Sequence, residues 1–291
     1  MTTGEKMPAI GHTLYVVATP LGNLRDITLR AIDILGSVDV IAAEDTRVTA
    51  KLLSRHGITA RMLSLHEHNE RRRAGEIVAL LDAGKSVALV SDAGTPAVSD
   101  PGAALVRSVI DAGYIVVPIP GPSAVVAALS ASGIVAPQWL FCGFLPATAT
   151  ARRAALERFR DCPGALVFYE APHRIAATLD ALASTLGSDR ELVIARELTK
   201  RFETIHRCRL GEAASWLAGD PDRVRGEFVL VVAASAATKP QHQTDAHDDT
   251  LRALLAELPV AQAVRLAVAL TGAPRNRLYE RALLLSKSSR R

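Results

Sequence analysis

Over its first 118 residues the chain alternates short apolar runs with longer polar or amphipathic stretches. The apolar runs, rich in β-branched residues, lie at 14–18, 38–42, 87–90 and 114–117. Each intervening stretch is long enough for a helix, so the pattern favours strands that alternate with helices. We therefore predict a mostly parallel α/β sheet.

A second α/β segment follows residues 118–122, which read Pro-Ile-Pro-Gly-Pro and break both helix and strand. Its apolar runs lie at 139–142, 166–169, 192–195 and 228–232, with a further candidate strand at 202–210. The break predicts a crossing between two domains, an N-terminal α/β domain at 12–119 and a second at 120–234.

The pattern changes again after the second segment. Residues 235–249 are polar and predict a linker. Leu251, Leu254, Leu255 and Leu258 then recur at helical spacing, Pro259 is placed to open a second helix, and residues 272–274 stop it before a third. We predict a small helical module at 250–291, helix-turn-helix-like in its three short helices.

The end of this module is basic, and its cations predict contact with a phosphate backbone. They are Arg275, Arg277, Arg281, Lys287, Arg290 and Arg291.

Composition is consistent with a folded protein, since 49% of the 291 residues are hydrophobic and 22% are charged. A net charge of +4 suits a polyanionic partner but does not identify one. Cys142, Cys162 and Cys208 show no CxxC spacing, which argues against a disulfide framework or structural zinc and favours a reducing cytoplasm. No apolar stretch approaches about 18 residues, so we expect neither secretion nor membrane spanning.

Familiar phosphate-binding motifs are absent from the sequence. There is no GxxxxGK[ST], and the turn after the first strand, at 18–23, lacks GxGxxG spacing. These absences argue against ATPases and dehydrogenases.

The least ordinary loop is SDAGTPAVSDPG at 91–102, directly after a predicted strand. Ligands of open α/β sheets lie beyond the carboxyl ends of strands, where small residues let the backbone approach them. Asp92 suits either a ligand contact or an Asx turn, and Ser123 either a ligand contact or a helix cap. For Asp100 we predict a structural role, as the N-cap ahead of Pro101.

Eight ordered blocks together resemble the ribosomal RNA small subunit methyltransferase I family. The blocks are ATPLGN (18–23), AEDTR (43–47), SDAGTPAVSDPG (91–102), PGPSA (120–124), GFLP (143–146), FYEAPHR (168–174), RELTKRFE (196–203) and GEFVLVV (226–232). The resemblance covers about residues 12 to 234, and the C-terminal helices resemble that family's appended module.

The resemblance implies an α/β, two-domain tetrapyrrole-methylase (class III methyltransferase) fold with a small C-terminal helical module. It further implies S-adenosylmethionine held between the domains, 2′-O-methylation of a decoding-centre cytidine of 16S rRNA in the small ribosomal subunit, and a homodimer. Because the sequence shows no cluster of metal ligands, we expect the cofactor to bind without a metal. The implied cofactor contacts are Pro20, Asp92, Ala93, Gly94, Thr95, Val98, Ser123, Ala124, Tyr169 and Glu170.

A ribose hydroxyl is a weak nucleophile, so a base or a nearby cation would assist its attack. The catalytic candidates are Glu44, Asp45, Arg47, His66 and Lys200, with Glu67 and His68 beside them in sequence. Plain alternatives stay open: Asp45 is equally suited to capping a helix, and His66 with His68 to a polar surface loop rather than a metal site.

Arg174, Lys200 and Arg201 are the candidate RNA contacts, because cations near strand ends can bind phosphates. The run 71–73 is more typical of a solvated helix start. The alternative function is methylation of a tetrapyrrole, which would need an apolar trough for the macrocycle. With only 4% aromatic residues, the sequence favours RNA.

Overall fold

The structure is a computed structural model that describes residues 8–66, 68–235 and 247–288. The chain divides into two compact units, one ending at Ala236 and one beginning at Ala237. The first unit contains both sheets, and the second contains the helices that follow them.

The first sheet has five strands, all parallel, in the order β3-β2-β4-β1-β5. Its strands are β1 (Thr13–Val17), β2 (Val40–Ala43), β3 (Arg61–Ser64), β4 (Val87–Val90) and β5 (Ile115–Ile119). The helices between them are α1 (Leu29–Leu35), α2 (Thr46–Arg55), α3 (Glu70–Asp82) and α4 (Ala103–Asp111).

Burial explains this arrangement. All four residues of β2 and of β4 are buried, as expected of inner strands covered on both faces. The predicted parallel sheet is confirmed, whereas β3 was not anticipated because its sequence, Arg-Met-Leu-Ser, is only half apolar. Pro118 lies inside β5, which the sheet tolerates because β5 is an edge strand.

The second sheet has the order β6-β7-β10-β8-β9 and is mixed. Its strands are β6 (Trp139–Phe144), β7 (Ala165–Glu170), β8 (Glu191–Arg196), β9 (Thr204–Arg209) and β10 (Phe228–Val232). The helices of this half are α5 (Ala124–Ser132), α6 (Ala149–Glu157), α7 (Ile175–Leu186) and α8 (Ala213–Ala218). Only β6 and β7 pair in parallel; the other pairs are antiparallel.

The two sheets are joined at residues 120–123, between β5 and α5. The candidate strand at 202–210 is present as β9, and the wholly buried β10 lies at the centre of the sheet. A boundary at 119/120 stays a prediction, because both sheets belong to one compact unit.

The C-terminal unit consists of α9 (Asp248–Glu257), α10 (Val260–Thr271) and α11 (Arg275–Ser288), packed around Leu251, Val264 and Leu278. Two linker residues were assigned wrongly, since Asp248 and Asp249 form the first turn of α9, where acidic side chains interact favourably with the helix dipole. Residues 236–246 of the predicted linker lie outside the described residues.

One predicted phosphate contact in this unit is also wrong. Arg281 binds the buried carboxylate of Asp248 with two hydrogen bonds of 2.7 and 2.6 Å, so its guanidinium is part of the packing of α11 on α9. Among the helices that the structure describes, none is both long and apolar enough to span a bilayer.

Candidate functional site

The first sheet has a topological switch point at its carboxyl edge. Strands β1 and β4 are neighbours, but the chain leaves β1 toward β2 on one side and leaves β4 toward β5 on the other. The connections after β1 and β4 thus run in opposite directions, and the carboxyl edge at such a switch point is where open α/β sheets bind ligands.

Hydrogen bonds hold the loops at this edge. Thr19 and Gly94 exchange backbone hydrogen bonds of 2.8 and 3.0 Å, and the Thr19 hydroxyl donates to Ser91 O. The Thr95 hydroxyl donates to Pro122 O at 3.1 Å, which ties the loop after β4 to the start of α5. The ligand-facing backbone is thus fixed before any ligand arrives.

The second sheet supplies the opposite wall. The carboxyl ends of β6, β7 and β8 lie at the same edge as the amino end of β10, as their pairing requires. Phe144 at the end of β6 packs edge-on against Tyr169 of β7, with ring centroids 5.6 Å apart. Burial raises the pKa of Tyr169 to about 12, so its hydroxyl is protonated at neutral pH.

Together these loops enclose a cavity of about 340 Å³, within the size range of small-molecule sites, roughly 300–1,000 Å³. It is lined by Leu21, Ala93, Gly94, Thr95, Val98, Asp100, Ser123, Ala124, Phe144, Tyr169, Glu170, Ala171, Pro172, Leu198, Glu227, Phe228 and Val229. Among the described residues that line it there is no Lys, Arg or His. Small and apolar groups with acidic ones suit an uncharged or cationic ligand better than a phosphorylated one.

Eight of the ten predicted cofactor contacts lie on this cavity, from both sheets. Pro20 and Asp92 do not. Pro20 is buried, and its neighbour Leu21 is the residue of that turn that lines the cavity. Asp92 is exposed and accepts a hydrogen bond from Asp45 N–H at 2.9 Å, so its carboxylate serves the loop after β2.

Nine lining residues were missed by the sequence analysis: Leu21, Asp100, Phe144, Ala171, Pro172, Leu198, Glu227, Phe228 and Val229. Each lies inside a block that carried the family resemblance, one or a few residues from a position that was considered. These residues could therefore have been found by treating each whole block as part of the site, rather than by selecting single positions within it.

The prediction for Asp100 was wrong. Helix α4 begins at Ala103 with Gly102 as its N-cap residue, and the Glu70 carboxylate of α3 accepts hydrogen bonds from the N–H groups of Gly102, Ala104 and Leu105. A side chain distant in sequence thus caps the helix. Asp100 is left to line the cavity.

Burial in the cavity wall raises the pKa of Asp100 to about 6. The negative charges of Glu44 and Asp92 act in the same direction, and a hydrogen bond from the Ser91 hydroxyl opposes them.

The first catalytic candidates lie together between the end of β2 and the first turn of α2, outside the cavity lining. Asp45 caps α2 through Arg47 N–H and forms an ion pair with the Arg47 guanidinium at 2.6 Å, which lowers the pKa of Asp45 to about 2. Glu44 accepts a hydrogen bond from Asp92 N–H at 3.3 Å, and burial raises its pKa. The capping alternative for Asp45 is therefore confirmed.

The histidines are surface residues. His66 and His68 are exposed, and the His66 ring lies 3.0 Å from the Asn69 amide nitrogen. No group of three metal-ligating side chains occurs in the described part of the chain. Glu67 lies outside the described residues.

Lys200 lies at the rim of the cavity, in the loop after β8. Its ammonium forms ion pairs with Glu197 at 3.0 Å and Glu227 at 2.9 Å, and these carboxylates raise its pKa against the effect of burial. Its side-chain stem lies against Gly22, where an added Cβ would come within 2.3 Å of Lys200 Cγ.

The backbone of this loop is strained and is held from the first sheet. Glu197 and Thr199 have φ angles of +52° and +67°. The Thr199 hydroxyl accepts a hydrogen bond from Asn23 N–H at 3.1 Å. The loop after β8 is therefore fastened to the loop after β1.

The remaining RNA candidates differ in accessibility. Arg174 donates to Leu145 O and lies 3.3 Å from the buried carboxylate of Glu170, with only 20% of its side chain exposed. The structure gives it a packing role, contrary to the predicted contact. Arg201 is exposed and stacks on Phe202, with the guanidinium carbon 5.5 Å from the ring centroid.

Two family models match the chain. That of the tetrapyrrole (corrin/porphyrin) methylases matches residues 13–214, and that of the RsmI C-terminal HTH domain matches residues 241–286. Proteins named ribosomal RNA small subunit methyltransferase I are similar along nearly the whole chain. The one from Escherichia coli O157:H7 is 47% identical over 93% of this chain and 94% of its own length. The one from Xylella fastidiosa is 49% identical over 92% and 97%.

Solved structures share the fold at low sequence identity. Uroporphyrin-III-C-methyltransferase from Thermus thermophilus is 18% identical, with a TM-score of 0.55 over 78% of this chain and 96% of that one. The same enzyme in complex with S-adenosylhomocysteine has a TM-score of 0.54, 18% identity, and coverage of 77% and 99%. The methyltransferase CobJ is 20% identical, with a TM-score of 0.59 over 78% and 95%.

Proposed function

Because the chain belongs to the tetrapyrrole methylase family and, within it, to the ribosomal RNA small subunit methyltransferase I family, we propose that it methylates small-subunit ribosomal RNA with S-adenosylmethionine. The acceptor is the 2′-hydroxyl of a cytidine in the decoding centre of 16S rRNA. The observation that carries the proposal is the cavity between the loops of the two sheets.

The lining fits S-adenosylmethionine, which has a cationic sulfonium and no phosphate. Ala93 and Ala124 have small side chains and Gly94 has none, so the backbone is accessible there. The Gly94 φ of +80° disfavours any residue with a Cβ in this turn. Phe144 and Tyr169 offer apolar and aromatic surface for an adenine ring. When bound, the cofactor supplies an electrophilic methyl group.

The protein's own residues orient the reactants and exclude water from them. Backbone groups of the turn at Gly94 and the start of α5 are held by the Thr19 and Thr95 hydrogen bonds, so little reorganisation accompanies binding. The loop after β8, fastened to Asn23, adds Leu198 to the lining.

RNA is favoured over a tetrapyrrole by the residues next to the cavity. Phe202 is 63% exposed beneath Arg201, two residues beyond the rim residue Lys200. An exposed aromatic ring with a stacked guanidinium suits an unpaired base beside a phosphate backbone. The C-terminal helices, an addition that a small-molecule substrate would not require, support the same substrate.

The test uses the full chain with methyl-labelled S-adenosylmethionine, excess chelator and three acceptors: small ribosomal subunits, free 16S rRNA and uroporphyrinogen III. We expect label in RNA, in a dinucleotide that survives alkaline hydrolysis, because a 2′-O-methyl group removes the nucleophile of that cleavage. Label in a base, or only in the tetrapyrrole, would contradict the proposal.

Cofactor binding is tested separately by calorimetry with S-adenosylmethionine in excess chelator. We expect binding that does not depend on added metal. Absence of heat at high protein concentration would refute the cofactor assignment. Sedimentation of the same sample tests the homodimer, which we propose from the family resemblance.

A further inference from the structure

Asp100 lies where the cavity meets a group of exposed loops. It lines the cavity together with Val98, two residues before it, and with Tyr169 on the opposite wall. Glu44 and Asp92, which follow the carboxyl ends of β2 and β4 and do not line the cavity, are near enough for their charges to act on Asp100.

The backbone around Asp100 is held in an unusual conformation. Ala97 and Ser99 have φ angles of +65° and +64°, in a region that residues with a Cβ seldom adopt. Directly after this segment, Glu70 fixes the N–H groups of Gly102 and Ala104 at 3.0 and 2.9 Å. Strained conformations of this kind persist only where the surroundings enforce them, and they concentrate at functional sites.

The other carboxylates of the cavity lining are already engaged. The Glu170 carboxylate is buried and accepts hydrogen bonds from the Thr178 hydroxyl at 2.6 Å and Ala171 N–H at 2.8 Å. The Glu227 carboxylate pairs with Lys200. Among the described residues that line the cavity, Asp100 is the acidic side chain without an ion pair.

The catalytic candidates from the sequence are less suited to removing a proton. Asp45 is paired with Arg47, and its low pKa makes it a weak base. Lys200 is held as a cation between two carboxylates. Asp100 combines a place on the cavity with a carboxylate that stays ionised at neutral pH yet retains affinity for a proton, since its pKa is about 6.

We propose that Asp100 is the general base of the methyl transfer, an inference that rests on the proposed ribose methylation. The Asp100 carboxylate takes the proton of the 2′-hydroxyl as that oxygen bonds to the methyl carbon. The bond between methyl carbon and sulfur breaks, its electron pair stays on sulfur, and S-adenosylhomocysteine leaves. The proton on Asp100 then passes to water.

The test compares wild-type protein with Asp100→Asn in single-turnover methylation of small subunits, at saturating S-adenosylmethionine. Asp111→Asn is the matched control, because Asp111 forms a surface ion pair with Arg107 on the helix that follows the same loop. Calorimetry with S-adenosylmethionine and S-adenosylhomocysteine accompanies the kinetics. Asp100→Glu, which keeps a carboxylate, is the second variant.

We expect Asp100→Asn to lower the rate by about 100-fold or more, with Asp100→Glu intermediate and Asp111→Asn within about two-fold of wild type. The wild-type rate should rise with pH and level off above the pKa of Asp100, about 6, and this step should be absent from the residual rate of Asp100→Asn. Both variants at position 100 should bind the two ligands as the wild type does.

Three outcomes would overturn the inference. A rate for Asp100→Asn close to wild type excludes a base at this position. Weakened binding of S-adenosylmethionine alone, with S-adenosylhomocysteine unaffected, makes Asp100 a counter-charge for the sulfonium instead. If the wild-type protein methylates no ribose, both the proposed function and this inference fail. The measurement on the wild type shows this before any variant is compared.

Discussion

Gly94 has a φ angle of +80° and forms a two-way backbone pairing with Thr19 at the floor of the cavity. An added Cβ would lie 3.3 Å from Leu21 Cδ2 and 3.9 Å from Pro122 O. Leu21 also lines the cavity, so a methyl group at position 94 would displace a lining side chain by a few tenths of an ångström. At position 94, therefore, both the backbone conformation and the space needed for the ligand favour glycine.

Replacing Gly94 with Ala should therefore reduce stability and cofactor affinity together. Left-handed strain lowers the free energy of unfolding by about 1–2 kcal/mol. Affinity for S-adenosylmethionine should fall by about ten-fold, or about 1.4 kcal/mol. Chemical denaturation and calorimetry measure the two quantities.

Gly113→Ala is the matched control, because Gly113 has a φ of +84° with no atom within 4 Å of an added Cβ. It should show the loss of stability without the loss of affinity. Equal affinity of the two variants would mean that Gly94 is a turn residue only.

Asp100→Asn should make the ligand-free protein more stable at neutral pH. The folded-state pKa of about 6 exceeds the ordinary aspartate pKa of 3.8, so the native state binds the proton more tightly. Stability is therefore lost as pH rises from about 4 to about 6, and the neutral amide avoids this loss. Thermal unfolding of both proteins should show a difference in Tm that grows with pH and becomes constant above this range.

Asp39→Asn should change the Tm at neutral pH in the opposite direction from Asp100→Asn. Hydrogen bonds from Ser86 N–H and the Lys85 ammonium lower the pKa of Asp39 to about 2, so this carboxylate stabilises the fold above pH 4 and the contribution is lost as pH falls toward 2. Asp39→Asn should lower the Tm at neutral pH. A lower Tm for Asp100→Asn as well would contradict the environment assigned to Asp100.

At the scale of elements, sequence patterns predicted those strands and helices whose own residues determine them. The buried strands β4 and β10 have the predicted bounds, because continuous apolar runs require burial on both faces. The start of α4 was missed, because its cap comes from Glu70 in another helix and leaves no local signal. Arg281 was assigned to a basic surface because its partner, Asp248, is distant in sequence and buried by packing of the module.

The ion pair between Asp248 and Arg281 should be required for the C-terminal module. Their side chains are only 2% and 11% exposed, so Arg281→Ala removes two short hydrogen bonds from a buried carboxylate, while a longer contact with Arg252, at 4.0 Å, remains. Arg281→Ala should lower the stability of the module by about 3–5 kcal/mol. Circular dichroism of the full chain during thermal unfolding should then show a separate, earlier loss of helix.

Arg252→Ala is the control for this variant. Arg252 is 55% exposed, pairs with the fully exposed Asp249 at 3.4 Å and makes only a long contact of 4.0 Å with Asp248, so its removal should change stability by at most about 1 kcal/mol. If the two variants unfold alike, the buried pair does not support the module.

At the scale of the whole molecule, the cavity residues all precede residue 230, and the helical module forms a unit of its own. The sequence predicted this organisation because its blocks and its linker are local features. It did not predict which block residues face one cavity, since that depends on how two sheets bring their strand ends together. Thus Pro20 and Leu21 are neighbours in one block, and only Leu21 reaches the lining.

Truncation after Ala234 should leave affinity for S-adenosylmethionine nearly unchanged and should impair methylation of small subunits. The cut lies beyond β10, and the removed helices contain exposed cations such as Arg275 that can bind phosphates. Methyl incorporation by full-length and truncated protein is measured across a salt series. The full chain should lose its advantage as salt rises. Equal activity and equal salt dependence would reject a docking role, and loss of cofactor binding would indicate a structural one.

The residues that line the cavity extend from Leu21 to Val229, and this determines when the cavity can form during synthesis of the protein. The first sheet is complete in sequence at Ile119, but the opposite wall requires β7, β8 and the start of β10. At roughly 5–20 residues per second, translation of the intervening chain takes on the order of ten seconds. Throughout that time the nascent chain has a finished sheet and half a binding site. A ribosome therefore synthesises the first 229 of the 291 residues before the protein can hold the methyl donor with which ribosomal RNA is modified.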